Sequence, residues 1–163
     1  MTVPTNIDDV IDSRDIIARI AELEGERQYL EVAATESQEV AEAAFGRREH
    51  PDGGYDIWLA AENTAKACAT AVAAWDVGDD GQELAALGAL ASEAEDYAPD
   101  WQHGVTLISL EYWPAYAEAM IQDIGVLPKN LPDYIVIDWE ATAGNLKVDY
   151  TEVEFDGVTY LVR

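Results

Sequence analysis

The sequence predicts an α+β protein, mostly helical, with an N-terminal helical hairpin followed by a C-terminal helix-plus-β-hairpin module. Three observations carry this. Apolar residues recur at steps of four and three after residue 15, as on one face of a helix. Residues 58–75 are rich in Ala, the strongest helix former. The last fifteen residues switch to the period of two that marks a strand with one buried face. The chain divides by these signals into residues 1–80, the helical hairpin region, and residues 81–163, an acidic α+β module.

The first helix is expected to open at Asp12-Ser13, a capping pair, with Asp15 in the first turn where the helix dipole favours an anion. Ile16, Ile20, Leu23, Leu30 and Ala34 form its stripe, with Arg27 interrupting, and its face continues to Phe45-Gly46. Such a stripe suits an antiparallel partner helix in the same chain better than an intermolecular coiled coil, because Gly25, Arg27 and Ser37 weaken the seam. Residues 47–54, with Pro51 and Gly53-Gly54, break the pattern and predict a loop. A second long helix follows and ends near Val77-Gly78. Asp80 and Glu83 have the spacing of a capping box, opening a third helix that turns Leu84, Leu87, Leu90, Ala91 and Ala94 inward. Residues 105–110 are apolar and read as a strand or an extended entry to the next helix. That helix carries Pro114 near its first turn and stops at Gly125. Asp138 caps a short helix through Leu146. Asp156-Gly157 is a two-residue hairpin turn, and pairing outward from it sets Phe155 opposite Val158, Val153 opposite Tyr160 and Thr151 opposite Val162. One face of the hairpin is then core, and the other carries Glu152 and Glu154.

The 33 acids against nine bases give a formal charge of −24. Between residues 67 and 128 stand eleven acids and no lysine or arginine: Asp76, Asp79, Asp80, Glu83, Glu93, Glu95, Asp96, Asp100, Glu111, Glu118 and Asp123. Ordinary surfaces mix both signs, since opposite charges at helical spacing support a helix and like charges oppose it. The negative field is therefore read as the working surface. It repels nucleic acid and anionic membrane and favours basic partners. A content of 49% hydrophobic residues with five Trp and eight Tyr argues for a folded chain with a real core. The single Cys68 forms no internal disulfide, the N-terminus lacks the features of a signal peptide, and no apolar run approaches the roughly 20 residues that cross a bilayer. A cytoplasmic location in a host cell is expected.

Catalytic and metal chemistry find little footing. Residues 76–87 imitate a calcium loop, yet Gly78 takes the place of one ligand and Leu87 that of the bidentate Glu. His50, His103 and Cys68 lack zinc-ligand spacing. Neither a G-x-S-x-G elbow nor an H-E-x-x-H helix occurs. His103 has no evident partner for base catalysis, and acid pairs such as Glu93 and Asp96 arise by chance among so many carboxylates. The chain is expected to be no enzyme and to use no cofactor or metal. Trp101, Tyr112 and Trp113 are read as core rather than as anchors for a partner.

Residues 116–118, 124–128 and 131–134 (Leu-Pro-Asp-Tyr), then Ile137-Asp138-Trp139-Glu140-Ala141, Leu146 and the Phe155-Asp156-Gly157 hairpin, form a consecutive pattern. It is an amphipathic helix ending in Gly, a Leu-Pro connector with a following Tyr, a helix opening on Asp-aromatic-Glu-Ala, and a closing hairpin. In this it resembles the C-terminal part of ArdA-type antirestriction proteins of phages and mobile elements, over roughly residues 105–163. The resemblance implies a DNA mimic, since proteins of this family occupy the DNA-binding groove of type I restriction-modification enzymes and often act as dimers; the expected target is a host defence nuclease, either a restriction-modification enzyme or a CRISPR effector, and a homodimer stays open. The charge agrees: duplex DNA carries about one charge per 1.7 Å, so 24 charges correspond to about 40 Å of duplex. The expected partner-binding residues are Glu83, Glu93, Glu95, Asp96, Asp100, Glu111, Glu118, Glu152 and Glu154, each a phosphate surrogate. Two alternatives stay open: an acidic phage adaptor or assembly protein that binds a basic partner, and a salt-adapted soluble protein, since the chain has only three lysines.

Overall fold

The computed structural model describes residues 3–125, 127, 132 and 134–163. It is α+β and mostly helical. The elements run β1 (Val10–Asp12), α1 (Ser13–Phe45), α2 (Gly54–Val77), α3 (Asp79–Glu95), β2 (Thr106–Ser109), α4 (Trp113–Ile124), α5 (Trp139–Leu146), β3 (Thr151–Phe155) and β4 (Val158–Val162), with a short 3-10 turn at Trp101–His103. Two compact units form. One holds residues 1–19 with 86–163, the other residues 20–85. The first nineteen residues therefore belong with the C-terminal unit instead of completing an N-terminal region over residues 1–80. Of the Leu-Pro connector singled out in the sequence, Val126, Pro128, Leu131 and Asp133 lie outside the described residues.

The second unit is an antiparallel helical hairpin. Leu23, Arg27, Leu30, Ala34, Ser37, Ala41 and Ala44 on α1 are buried or half-buried, and so are Trp58, Ala61, Ala65, Cys68, Val72 and Trp75 on α2. Both series alternate steps of four and three, the repeat that keeps one seam facing a partner helix. Arg27 meets Asp76 at one end (Nε to Oδ1, 2.7 Å), and Phe45 meets Trp58 edge-on at the other, with ring centroids 5.9 Å apart. The arginine that interrupts the apolar stripe is thus paired across the hairpin, and with Glu31 on its own helix. Small residues fill the middle of the seam and permit close approach of the two backbones.

The connection to α3 is tight. A Cβ on Gly81 would lie 2.4 Å from the Asp76 carbonyl oxygen, so only glycine fits there. The helix begins at Asp79, earlier than the capping-box reading places it, and Asp80 lies inside the first turn. The Gly78 carbonyl accepts from Gln82 N, and Gln82 Nε2 donates to the Val77 carbonyl.

The first unit is built on a four-stranded antiparallel sheet in the order β1-β2-β4-β3. The hairpin register is the one the turn predicts: Phe155 faces Val158, Val153 faces Tyr160 and Thr151 faces Val162. Asp156 and Gly157 both take positive φ, 46° and 81°, as such a turn demands. The sheet face bearing Ile11, Leu107, Val153, Phe155, Tyr160 and Val162 is buried. Ile16, Leu87, Leu90, Ala94, Ala98, Trp101 and Val105 are also buried in this unit. The reverse face is not simply acidic, as the alternation alone suggests. Ile108 and Leu161 are buried on it with Trp113 and Ala117 of α4 and Ala143 of α5, and Trp113 Nε1 donates to the Ala143 carbonyl at 2.9 Å. On the edge strand β3, Glu152 and Glu154 project from this side.

Strand β1 is what the sequence conceals, reading as a leader. It pairs with β2 from Val10↔Ile108 to Asp12↔Thr106. The next rung would be Ser13 with Val105, where the chain turns into α1. Ser13 N donates to the Val105 carbonyl (2.9 Å), but the Ser13 carbonyl is at the head of a helix, so its hydroxyl replaces it as acceptor for Val105 N (2.7 Å). The same hydroxyl donates to the Trp101 carbonyl at 2.7 Å. Asp12 caps the helix, accepting from Arg14 N at 2.9 Å, and the Arg14 guanidinium beside it lowers its carboxyl below the ordinary range. At the other end of α4, Gly125 in the left-handed region stops the helix; Asp138 Oδ1 caps α5 through Ala141 N.

Two outcomes follow from this wiring. Ser13→Ala strands the Val105 N–H and the Trp101 carbonyl in the core; at about 1–3 kcal/mol per orphaned group, urea denaturation should show a loss on the order of 3 kcal/mol. Tyr160, fully buried, donates its hydroxyl to the Asp8 carbonyl at 2.8 Å; burial, with Asp8 and Asp9 adding to it, pushes its phenol up to about 12. The folded state therefore holds this proton above the ordinary tyrosine value near 10. The resulting stabilisation is complete below that value and disappears as pH rises towards 12. Tyr160→Phe should cost about 1 kcal/mol at neutral pH and flatten the alkaline fall of the melting temperature.

Candidate functional site: the acidic surface

The fold leaves most of the sequence-predicted carboxylates in solvent. On α3, Leu87, Leu90 and Ala94 form the buried stripe, and Glu93 and Glu95 are exposed on its two flanks. Asp96 and Asp100 follow in the turn to the Trp101–His103 segment, and both are exposed. Glu95 Oε1 accepts from Gln102 Nε2 at 3.0 Å, which holds one member of this group in place. Glu93, Asp96 and Asp100 have no cationic partner among the described residues. Their neighbourhood contains the exposed His103, also without an ion pair.

The remaining residues divide. Glu111 is exposed in the turn between β2 and α4. Glu118 follows the buried Ala117 and is half-buried, accepting from Gln122 Nε2 at 2.9 Å. Glu83 is half-buried and engaged, and it belongs to the helical-hairpin unit rather than to the unit holding the others. Glu152 and Glu154 project from the same side of β3, two residues apart; Lys147 pairs with Glu152, while Glu154 has no cationic partner among the described residues. Charges on an edge strand also guard it against pairing with another chain. The structure thus gathers Glu93, Glu95, Asp96 and Asp100 on one continuous stretch, and places Glu111, Glu118, Glu152 and Glu154 on other elements of the same unit. Trp101 and Trp113 are buried and Tyr112 is half-buried against the α4–α5 core, so these rings pack inside as the sequence reading expects.

Local electrostatics oppose this arrangement. The C-terminal end of a helix carries a partial negative charge, which favours cations there. None of the five α-helices among the described residues has a basic residue in its last turn. Instead Glu42, Asp76, Glu93, Glu95 and Asp123 stand near those ends. Among the described residues no group of three or more His, Cys, Asp or Glu stands together to hold a metal, and no helix is long and apolar enough to cross a membrane.

One feature escaped the sequence reading. Residues 47–54 register there only as a break, yet Arg47-Arg48 is the only adjacent pair of bases in the chain. In the fold Arg47 lines a groove with His50 and Asp52.

Because Glu93 and Asp96 oppose both the dipole of α3 and each other, Glu93→Gln and Asp96→Asn should each raise the melting temperature at low ionic strength. The gain, on the order of 0.3–1 kcal/mol, should vanish in high salt as screening removes the repulsion. No family model, curated protein or solved structure matches the chain.

Proposed function

We propose that the protein is an acidic DNA mimic, which occupies the DNA-binding site of a host defence nuclease, a restriction-modification enzyme or a CRISPR effector, and blocks DNA from it. The observation that carries this reading is the run from residue 67 to residue 128 without a single lysine or arginine. Glu93 and Glu95, in the last turn of α3, stay exposed and adverse to the dipole of the helix that bears them. A fold that needed only solubility gains nothing from opposing its own helix dipoles. The resemblance of residues 105–163 to ArdA-type proteins supports the same reading, and so does the stiffness of the frame, since anions on helices and on a paired strand keep their spacing as phosphates do. The mimic acts without catalysis or cofactor, in the cytoplasm of the host, and its partner is a basic DNA-binding protein. Work of this kind is spread over many weak contacts, so Glu93, Glu95, Asp96, Asp100, Glu111 and Glu154 share it.

A second reading, salt adaptation, is favoured by the scarcity of lysine. The two separate in one pair of measurements. A mimic captures its target from host lysate, excess duplex DNA displaces it, and its affinity falls by about tenfold or more between roughly 50 and 200 mM salt. Capture that persists under saturating duplex sinks the mimicry. Salt adaptation requires a melting temperature that climbs steeply from low to high salt without any such capture.

A further inference from the structure

The connection between α1 and α2 is a chain of overlapping turns. Arg47 N donates to the Ala44 carbonyl (3.0 Å), His50 N to the Arg47 carbonyl (2.9 Å) and Gly54 N to the His50 carbonyl (3.2 Å). Gly54 is held so close that a Cβ there would lie 2.0 Å from the Arg47 carbonyl oxygen. The turn is therefore fixed by its backbone, and the side chains of Arg47, His50 and Asp52 are free to line a groove of about 640 Å³. Ala43, Ala44 and Ile57 form its apolar wall.

Arg47 is the unusual member. In a chain with 33 acids, the other described bases of this unit find carboxylates: Arg27 binds Asp76 and Glu31, Arg48 reaches Glu49, and Lys66 reaches Glu62. Arg48 also stacks over the Phe45 ring at 3.8 Å. The Arg47 guanidinium has no ion pair or side-chain hydrogen bond among the described residues. The one acid beside it, Asp52, is directed to His50, with Oδ2 3.3 Å from Nδ1. This contact fixes the imidazole and leaves Nε2 as its remaining polar atom.

We infer that this groove binds a small organic carboxylate with an apolar body. A guanidinium presents two parallel N–H donors that match the two oxygens of a carboxylate, and the Ala43, Ala44 and Ile57 wall receives the body. The net charge of −24 argues against a more highly charged ligand. A dianion such as phosphate meets twice the repulsion from the surrounding field and from Asp52, with one guanidinium to offset it and no use for the apolar wall. The site shares no residue with the acidic surface, so it stands whether or not the mimicry reading does.

The test is a titration of the isotope-labelled full chain with benzoate, followed by amide and side-chain NMR, with benzyl alcohol as the neutral isostere and inorganic phosphate as the competing anion. Benzoate should shift the Arg47, His50, Gly54 and Ile57 resonances saturably. Arg47→Met should weaken it at least tenfold, and Arg47→Lys should fall between, because charge without the paired donors is a poorer match. Ile57→Ser should weaken benzoate while leaving acetate unchanged. The amide spectra of these exposed-site variants verify that the fold is intact. Benzyl alcohol binding as well as benzoate, phosphate displacing benzoate on equal terms, an unaltered affinity in Arg47→Met, or no saturable shift would each overturn the assignment.

Discussion

The C-terminal unit depends on one hydroxyl. Where β1 becomes α1, the backbone carbonyl of Ser13 must serve the helix, and the strand pairing with β2 loses an acceptor at that rung. Ser13 Oγ takes its place towards Val105 N and donates to the Trp101 carbonyl. A three-residue strand is too short to hold its position by side-chain burial alone, since only Ile11 of β1 is buried. The hydrogen bonds at Ser13 extend its pairing by one rung and tie the entrance of a 33-residue helix to the segment that opens β2. With β1 in place the sheet has its fourth strand, and the apolar face bearing Leu107 and Tyr160 is closed. Tyr160 then reaches back to the Asp8 carbonyl, so the residues before β1 are held by the last strand of the chain.

Against this frame the charges work at a loss. Buried apolar surface contributes about 25 cal/mol per Å², while adverse helix-dipole and like-charge contacts take back about 0.3–1 kcal/mol each. The unit keeps its carboxylates because two apolar layers, one on either face of the sheet, outweigh them. The hairpin unit solves the same problem differently. Its seam is made largely of Ala, Ser and Cys, and the cation within that seam, Arg27, answers Asp76 across the pair.

Local signals were readable and distant ones were not. The Asp156-Gly157 turn, the Asp138 cap, the Gly125 stop and the period of α1 each depend on residues within a few positions of one another, and the elements stand where these signals put them. Strand β1 depends on a partner nearly a hundred residues away and offers three residues with no full alternation, so its sequence carries no strand signature. The capping-box spacing of Asp80 and Glu83 was misleading because the tight turn at Gly78 and Gly81 starts the helix sooner. The reverse face of the hairpin looked purely acidic because Glu152 and Glu154 are visible from β3, whereas the burial of Leu161 beside them follows from α4 and α5 crossing that face. For the candidate site the acidic composition was fully legible, and exposure was not. Glu118 is half-buried because it adjoins Ala117 in the packed stripe of α4, a distinction that depends on where the helix is rotated.

The spacing of charges explains why no single carboxylate stands out. A helix rises about 5.4 Å per turn, a length over which duplex DNA carries about three phosphates. One helical face with a carboxylate per turn therefore has about a third of that density. Glu93, Asp96 and Asp100 on one stretch cannot reach the charge density of a duplex, so an anionic surface of that density has to draw on several elements. On the proposed mimicry, residues such as Glu111 and Glu154, which lie on neither α3 nor one another's element, have a reason to be charged that sequence proximity does not provide. The same sparseness makes each contribution small, and a lost carboxylate is absorbed by its neighbours. The proposed mimicry would constrain the field of the surface more tightly than the identity of any residue in it, which fits a charge pattern plain in the sequence and an individual site that is diffuse.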